Sequence, residues 1–382
     1  MALAGRATAT GTARYAARFP RPDDGPREGA PPRLASGHFR SALGLTWSSI
    51  GLGTNLGDTT DEVDACYRAA LAEAIRLGCN VLDTAGSYRA QRSEIALGQA
   101  VADLAAAGEF ARDELVIASK AGFIPYRLEK PADPVQYAYD SFVASGVAEP
   151  DDWAGGIHCM APGYLSQQIA WSLRNTGLRA LDIYYIHNPE MQLAFVDRAT
   201  FRKRLQLAFA RLEEEVAAGR IGCYGVSTWE SLRRPPQSAS YMSLETMIRL
   251  VTEVAGPNHH FRVVQLPLNV GMTESATLRI QPVRDSLLTT LEAARDLGLT
   301  VLASAALGQG QLPERALTAL VEAFPLLATT RQRALQFARS QPGVTTALMG
   351  TTQVEHVREN LAVAAYPPEP ERAHRLAHAL TR

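Results

Sequence analysis

The sequence predicts an α/β protein built as a (β/α)8 TIM barrel, and two regularities carry that prediction. Short apolar or β-branched runs, typical of buried parallel strands, recur eight times, and each is followed by a segment of helical length. The chain has 382 residues, which is long for one domain but normal for an α/β barrel. The eight runs end at Gly53, Asp83, Ser119, His187, Val226, Leu266, Ala303 and Met349.

The helical segments are recognised by the spacing of their apolar residues and by their end signals. In the clearest one the apolar residues recur three and four positions apart. They are Val63, Cys66, Tyr67, Ala70, Leu71, Ala74 and Leu77. Thr60 can cap this helix and Gly78 can end it. Two further helices are predicted from about Arg92 to Ala107 and from about Tyr164 to Thr176.

Three stretches depart from the strand and helix alternation. Residues 1–40 are rich in Gly, Pro, Ala and Arg and are predicted to be an N-terminal extension, residues 41–366 the barrel, and residues 367–382 a C-terminal helix. An insertion of extra residues at about 122–162 follows strand three. It therefore belongs on the C-terminal rim, where active sites lie. Its aromatic residues predict an ordered lid or substrate wall. They are Phe123, Tyr126, Tyr137, Tyr139, Phe142 and Trp153.

Composition excludes several classes of function. The net charge is −1 and 46% of the residues are hydrophobic, which argues for a globular protein without a nucleic-acid partner. No apolar run approaches the roughly 18 residues of a membrane span. The four cysteines form no C-x-x-C, which predicts reduced thiols and a cytoplasmic protein. The Arg-rich start resembles a transit peptide but is followed at once by acidic residues. Oligomeric state is left open.

Other motifs in the chain lack the context that their chemistry needs. Gly51-Leu-Gly53-Thr-Asn-Leu-Gly57 resembles a dinucleotide fingerprint, but its third glycine comes one residue late. Tyr126 and Lys130 have dehydrogenase-like spacing, but prolines bracket the segment and disfavour the helix required. The His158-Cys159 and His259-His260 pairs have no partners at ligand spacing, so no metal site is predicted.

Ionisable residues stand at the ends of three consecutive predicted strands. Asp83 ends the second, Lys120 follows Ser119 at the end of the third, and His187 ends the fourth, while Tyr88 lies on the loop five residues after Asp83. The C-terminal strand ends of a barrel converge on one face, so these four side chains should meet. Lys120 is notable because the chain contains only two other lysines, Lys130 and Lys203.

These four groups suit the transfer of a proton that accompanies a hydride. A phenol with a pKa of about 10 is a poor acid at neutral pH, and an adjacent ammonium lowers that pKa. A carboxylate holds the ammonium charged. An imidazole can donate a hydrogen bond to a carbonyl oxygen that gains negative charge.

These motifs resemble the aldo/keto reductase family over about residues 47–363. The resemblance rests on Val-Leu-Asp83-Thr-Ala-Gly-Ser-Tyr88, Ser119-Lys120, Leu-Asp-Ile-Tyr-Tyr-Ile-His187, Tyr-Gly-Val-Ser227, Val-Gln265-Leu-Pro-Leu-Asn269 and Gly350-Thr351-Thr352 with Glu359-Asn360. It implies a barrel that binds a nicotinamide cofactor, NADP with NAD left open, and that interconverts a small-molecule aldehyde or ketone and the matching alcohol. Tyr88 would be the general acid/base, Asp83 and Lys120 would tune its pKa, and His187 would orient the carbonyl.

The resemblance also implies a set of cofactor-binding residues. Ser227 and Gln265 would hold the nicotinamide carboxamide, the backbone from Leu307 to Gly310 would meet the pyrophosphate, and the end of strand eight with the helix after it would hold the adenosine. The full set is Gly53, Thr54, Asp83, Ser227, Thr228, Gln265, Ser304, Leu307, Gly310, Gly350, Thr351, Thr352, His356, Glu359 and Asn360.

Some positions depart from the pattern of the family. Thr228 follows the serine where many members have Asn, and Ser304 stands where many have a stacking Tyr. At the 2′-phosphate position Gly350, Thr351 and His356 replace the usual Lys or Arg, with Arg358 close by. A nicotinamide-binding regulatory or scaffold protein with little turnover, and a lyase that uses Lys120 as a Schiff base, remain as alternatives to the oxidoreductase.

Overall fold

Eight parallel strands close into a barrel, as the sequence predicts. A computed structural model describes residues 2–20 and 31–381. Each strand pairs with its neighbours in chain order, and the eighth pairs with the first. The strands are β1 (Ile50–Gly53), β2 (Val81–Asp83), β3 (Val116–Ala121), β4 (Leu181–His187), β5 (Ile221–Ser227), β6 (Phe261–Pro267), β7 (Thr300–Ser304) and β8 (Val344–Gly350). β3 and β5–β8 continue one or two residues beyond the ends that the sequence predicts.

The longer helices surround the barrel or follow its ends. They are α1 (Ala9–Ala17), α2 (Asp61–Arg76), α3 (Arg92–Ala106), α4 (Pro162–Thr176), α5 (Arg198–Ala217), α6 (Leu244–Ala255), α7 (Thr290–Asp296), α8 (Glu314–Ala323), α9 (Thr330–Arg339), α10 (Val354–Leu361) and α11 (Pro370–Thr381). The predicted cap of α2 is confirmed, since the Thr60 side chain accepts a hydrogen bond from the Val63 amide. α4 begins two residues before its predicted start, at Pro162, whose fixed φ suits a first helical position.

An N-terminal hairpin closes the bottom of the barrel. Its strands, Phe39–Ala42 and Leu45–Ser48, pair antiparallel. Trp47 is completely buried and packs in one cluster with Val81 and Val116, the first residues of β2 and β3. An indole at this position fills the N-terminal mouth, so the opposite end, formed by the C-terminal strand ends, is left to the site.

The predicted N-terminal extension contains helix α1, which the sequence did not reveal because the stretch shows little apolar periodicity. Thr8 caps the helix by accepting a hydrogen bond from the Gly11 amide. The buried Tyr15 donates a hydrogen bond of 2.6 Å to the carbonyl oxygen of Ile75. α1 therefore packs against the base of the barrel. Residues 21–30 of the extension lie outside the described residues.

The insertion at 122–162 is folded around a small core of its own. It contains a short helix, Pro134–Ala138, followed by a π-helical turn, Tyr139–Val143. Phe142 is completely buried, and its ring contacts Trp153 as well as Tyr164 and Trp171 of α4. The aromatic residues therefore attach the insertion to α4.

At the C-terminal end, α11 occupies most of the predicted helical segment and buries Ala373, Leu376 and Leu380. Within residues 2–20 and 31–381, no helix combines the length and the apolar character that crossing a bilayer requires.

Candidate active site

The structure brings the predicted amine, carboxylate and phenol together above the barrel. Asp83 is the last residue of β2, Lys120 lies near the end of β3, and Tyr88 begins the turn before α3. The Lys120 ammonium donates hydrogen bonds to Asp83 Oδ1 at 2.5 Å, to the Thr84 carbonyl oxygen at 2.9 Å and to Tyr88 Oη at 3.2 Å. All three N–H groups of the ammonium are therefore used inside the protein.

Burial and charge act in opposite directions on this group of residues. Burial lowers the pKa of Lys120, but the attraction of Asp83 and Tyr88 outweighs it, so the pKa lies above its usual value. Burial raises the pKa of the Tyr88 phenol, and the adjacent ammonium only partly offsets that rise. Without a ligand the phenol therefore keeps its proton, whereas the charge argument alone predicted a lowered pKa.

His187 lies beside the phenol as a neutral imidazole. Its ring centroid is 5.7 Å from that of Tyr88, at an interplanar angle of 81°. Burial, and then the positive charge of Lys120, hold the pKa of His187 well below its usual value. Nδ1 of His187 is buried without a hydrogen-bond partner among the described residues. The ring can therefore offer a hydrogen bond to a ligand without carrying charge.

The loop after β2 holds Tyr88 in place through a strained turn. Arg89, Ala90 and Gln91 all have positive φ, at 47°, 54° and 72°, a conformation that costs free energy for residues with side chains. The buried Arg89 guanidinium stabilises the turn with hydrogen bonds of 2.7 and 2.8 Å to the Asp58 carbonyl oxygen. Strain of this kind next to a phenol is typical of a functional site.

The second carboxylate oxygen of Asp83 accepts a hydrogen bond from a chain of polar side chains. Gln265 Nε2 donates to Asp83 Oδ2 at 2.8 Å, and Ser227 Oγ donates to Gln265 Oε1 at 3.0 Å. The predicted carboxamide-binding residues are therefore connected through Asp83 to Lys120. Their hydrogen bonds fix which way the Gln265 amide points, with its NH2 toward the carboxylate.

A cavity of about 460 Å³ opens at the C-terminal strand ends. Tyr88 and His187 line it, together with most of the predicted cofactor residues. The latter are Gly53, Asp83, Ser227, Thr228, Gln265, Ser304, Leu307, Gly310, Gly350, Thr351, His356 and Asn360.

Three predicted cofactor residues lie off this wall. Thr54 is completely buried and donates its amide hydrogen to the Asp83 carbonyl oxygen at 3.1 Å, so it supports the β2 end from behind. Thr352 is half-buried beside the loop that ends β8. Glu359 forms an ion pair with Arg331, at 3.4 Å. Whether these three contact a cofactor remains a prediction.

The cavity wall also contains residues outside the set predicted from the sequence, above all Trp229 and Arg331. Trp229 directly follows Thr228, and its amide donates a hydrogen bond of 2.7 Å to the buried carboxylate of Glu190. Trp229 and Tyr88 are the aromatic side chains among the described residues of the wall. Because Trp229 lies so close to a strand end, it could have been predicted from the sequence as a site residue. Arg331 lies on α9 and had no such signal.

None of the described residues that line the cavity belongs to the insertion at 122–162. The expected lid or substrate wall is therefore not what this structure shows, because four of the six aromatic rings pack in the insertion's own core, namely Tyr126, Tyr137, Phe142 and Trp153. It reaches the site from behind instead. Phe123 packs edge-on against the His187 ring with 5.0 Å between centroids, and His158 Nε2 donates a hydrogen bond of 2.7 Å to the His187 carbonyl oxygen.

Unsatisfied polar atoms on the cavity wall indicate a polar ligand. Thr228 Oγ1, His187 Nδ1 and Asn360 Oδ1 are buried and have no hydrogen-bond partner within the described part of the chain. Buried polar groups of native proteins are normally paired. The wall therefore fits an elongated ligand with polar groups near β4–β5 and near α10.

The geometry argues against imine chemistry at Lys120. An imine-forming lysine needs a neutral amine, whereas Lys120 is buried, charged and bonded to an acid. The described residues also contain no group of three or more His, Cys, Asp and Glu side chains placed to hold a metal ion.

Known proteins resemble the chain in sequence and in fold. A family model for the aldo/keto reductase family matches residues 49–247. A curated relative, an uncharacterized oxidoreductase of Schizosaccharomyces pombe, is 24% identical over 199 residues, which are 52% of this chain and 51% of the relative. The chain thus matches about half of that relative's length.

Solved structures match most of the chain at low sequence identity. An aldo/keto reductase of Klebsiella pneumoniae, crystallised with NADP and acetate, is 20% identical, covers 90% of this chain and 95% of its own, and has a TM-score of 0.61. A glycerol dehydrogenase of Gluconobacter oxydans is 18% identical, with the same coverage and a TM-score of 0.60. This likeness shows the fold. Because the family model matches more than half of the sequence, the chain belongs to the aldo/keto reductase family.

Proposed function

We propose that this protein is a cytoplasmic NAD(P)-dependent oxidoreductase that interconverts a small-molecule aldehyde or ketone and the matching alcohol. The observation that carries the proposal is the contact of the buried Lys120 with Asp83 and Tyr88, both of which line the cavity. A buried phenol beside a fixed ammonium can give and recover a proton next to a reacting carbon.

The four side chains divide the work of that proton transfer. Tyr88 donates its phenolic proton to the carbonyl oxygen during reduction and recovers it during oxidation. Lys120 stabilises the phenolate that remains, because its ammonium is already in place at 3.2 Å. Asp83 keeps that ammonium charged. His187 donates a hydrogen bond to the substrate oxygen, and its neutral state leaves the phenol as the proton donor.

The cofactor would lie along the part of the wall that carries the unpaired polar atoms. Ser227, Gln265 and Thr228 would hold the amide end, the backbone at 307–310 the pyrophosphate, and Thr351 and Asn360 the adenosine end. When bound, a nicotinamide supplies or accepts the hydride. NADP is the proposed form, supported by the NADP and NADPH complexes of two solved structures that share the fold.

The barrel at about 41–366 is proposed as the catalytic unit. The segments at 1–40 and 367–382 are proposed as flanking supports, because α1 packs at its base and α11 buries one apolar face. The substrate is a small molecule that enters from the C-terminal strand ends, since the hairpin with Trp47 fills the other end.

The variant Tyr88→Phe tests the acid/base role directly. It removes one oxygen, so NADPH should bind within about twofold of the parent affinity, while kcat falls by about a thousandfold or more, within the range of losses seen when a general acid is removed. Binding is measured by NADPH fluorescence and turnover by absorbance of the reduced nicotinamide. Tyr139→Phe, on the exposed turn of the insertion, is the matched control and should keep parent kinetics.

Turnover of Tyr88→Phe at the parent rate would remove the phenol from the proposed mechanism. A panel of aldehydes, ketones and alcohols then separates an enzyme from a binding protein. Tight NADPH binding without turnover on any panel member would favour the regulatory or scaffold function, for which Ser304 in place of a stacking aromatic is the supporting observation.

A further inference from the structure

A second region of the cavity wall is formed by the helices outside β8 and by the end of that strand. Arg331 from α9, His356 and Asn360 from α10, and Thr351 after β8 all line it. Arg331 is the one lysine or arginine among the described residues of the wall. Asn360 is 1% exposed, and its Oδ1 finds no partner among the described residues, so this region is also built for a ligand.

The cation that the sequence favours here, Arg358, faces elsewhere. His356 and Asn360 are four residues apart and therefore share one face of α10. Arg358 is two residues beyond His356, about 200° around the helix. Its Nε accordingly meets Glu73 of α2 at 2.6 Å. That pairing leaves Arg358 outside the cavity.

Arg331 reaches the cavity from a different helix and is weakly held. It is the second residue of α9 and lies between the two residues of the capping box, Thr329 and Gln332. Its side chain is 55% exposed, and it pairs with Glu359 at 3.4 Å, longer than charged hydrogen bonds usually are. Exposed ion pairs of this kind are weak. The guanidinium can therefore exchange Glu359 for a better anion.

We propose that Arg331 binds the 2′-phosphate of NADP and makes this protein prefer NADP to NAD. The inference rests on the proposed function, because it assigns a residue to one group of the proposed cofactor. A phosphate monoester carries close to two negative charges near neutral pH, and the planar fork of arginine can donate two parallel hydrogen bonds to it. Glu359 competes with the phosphate for the same guanidinium, so it limits the affinity rather than adding to it.

The test compares nucleotide affinities, without any substrate. Dissociation constants for NADPH, NADH, 2′,5′-ADP and 5′-ADP are measured by fluorescence and calorimetry on the parent, Arg331→Ala, Arg331→Gln and Arg358→Ala. Both Arg331 variants should bind NADPH and 2′,5′-ADP about tenfold to a hundredfold more weakly, the usual effect of losing a charge-assisted hydrogen bond. NADH and 5′-ADP should bind within about twofold of the parent value.

Two controls sharpen the result. Arg358→Ala removes an arginine from the neighbouring helix and should leave the NADPH to NADH ratio unchanged, because Arg358 is paired with Glu73. Glu359→Gln should raise the ratio of NADPH affinity to NADH affinity a few-fold, because it removes the carboxylate that competes with the phosphate for Arg331. Since each ratio is measured within one variant, a general loss of folded protein cancels.

Each outcome decides a different claim. If the parent binds both dinucleotides but the Arg331 variants keep the parent ratio, Arg331 is not the phosphate ligand and the inference fails alone. If the ratio of NADPH affinity to NADH affinity falls in Arg358→Ala, the 2′-phosphate ligand is Arg358 and the inference is overturned. A parent protein that prefers NADH would also overturn the inference. If the parent binds neither dinucleotide, the proposed function fails and the inference with it.

Discussion

At the scale of single residues, Asp83 decides the charge of the site. Its two oxygens accept hydrogen bonds from Lys120 and Gln265, so one carboxylate orients both the ammonium and the amide. Burial alone would lower the pKa of Lys120, and Asp83 is the main group that reverses this. The phenol of Tyr88 therefore depends on a carboxylate to which it is linked through the Lys120 ammonium.

Asp83→Asn should leave the Lys120 side chain in place but remove the carboxylate that keeps it charged. Without the carboxylate, burial prevails and the pKa of Lys120 falls, so the ammonium is lost at lower pH. We expect a lower kcat and a basic limb of the kcat–pH profile displaced toward acid pH. Steady-state kinetics from pH 6 to 10 check this. A profile with the parent shape would show that the carboxylate does not control the amine.

Residues at strand ends could be predicted from sequence, whereas residues on outer helices could not. The positions of Asp83, Lys120 and His187 follow from where apolar runs stop, since parallel strands of a barrel share one C-terminal edge. Arg331 and Arg358 look alike in the sequence. Only the packing of α10 on α2, which pairs Arg358 with Glu73, shows which of them faces the cavity.

At the scale of elements, the insertion at 122–162 acts as a support for β4. His158 is completely buried, donates to the His187 carbonyl oxygen, and accepts a hydrogen bond of 3.0 Å from Gln192 Nε2 at its other nitrogen. Arg204 of α5 in turn donates to Gln192. The insertion follows the C-terminal end of β3, and aromatic content alone could not tell a wall from a support.

His158→Leu should impair catalysis without removing cofactor binding. The leucine fills the space but cannot donate to the His187 carbonyl oxygen, so His187 loses its alignment and kcat should fall roughly tenfold or more, as displacements near 1 Å can cause. His158→Asn should recover part of the loss. NADPH affinity should stay within about twofold in both. Stopped-flow and steady-state kinetics measure these changes.

The control for that experiment is His259→Leu, which alters another buried histidine outside the cavity wall. It should lower stability without changing kcat. If His158→Leu lowers the melting temperature and leaves kcat at the parent value, the contact with His187 is structural only.

At the scale of the whole molecule, the barrel is closed below by the N-terminal segments and open above. His38, just before the hairpin, is completely buried and bonds to the Gly78 carbonyl oxygen at 2.9 Å. The alternation of strands and helices in the sequence predicted the barrel itself. The packing of α1 and of His38 escaped prediction because it depends on contacts between segments far apart in the chain.

His38 should make the fold sensitive to acid. Burial, and then Arg339, lower the pKa of His38 from 6.5 to about 3. Above pH 6.5 neither the folded nor the unfolded state is protonated there. Between pH 6.5 and about 3 only the unfolded state takes up the proton. The free energy of unfolding therefore decreases as the pH is lowered, by about 2 kcal/mol between pH 6.5 and pH 5.

Urea unfolding of the parent and of His38→Gln at pH 5 and 7 tests this dependence. The variant should lose less stability between the two pH values than the parent loses. His374→Gln, an exposed histidine on α11, should behave as the parent does. Equal pH dependence in all three proteins would show that His38 does not set the acid sensitivity.

The contact between His158 and the His187 backbone has a consequence for protein engineering. Because barrels support many chemistries through variation of their rim loops, such loops are natural targets for exchange. Here a graft that replaces the stretch around His158 would also remove the hydrogen bond to the His187 carbonyl oxygen. Libraries built on this scaffold should therefore vary the loops that carry Trp229 and Leu56, which face the cavity, and retain the segment that braces β4.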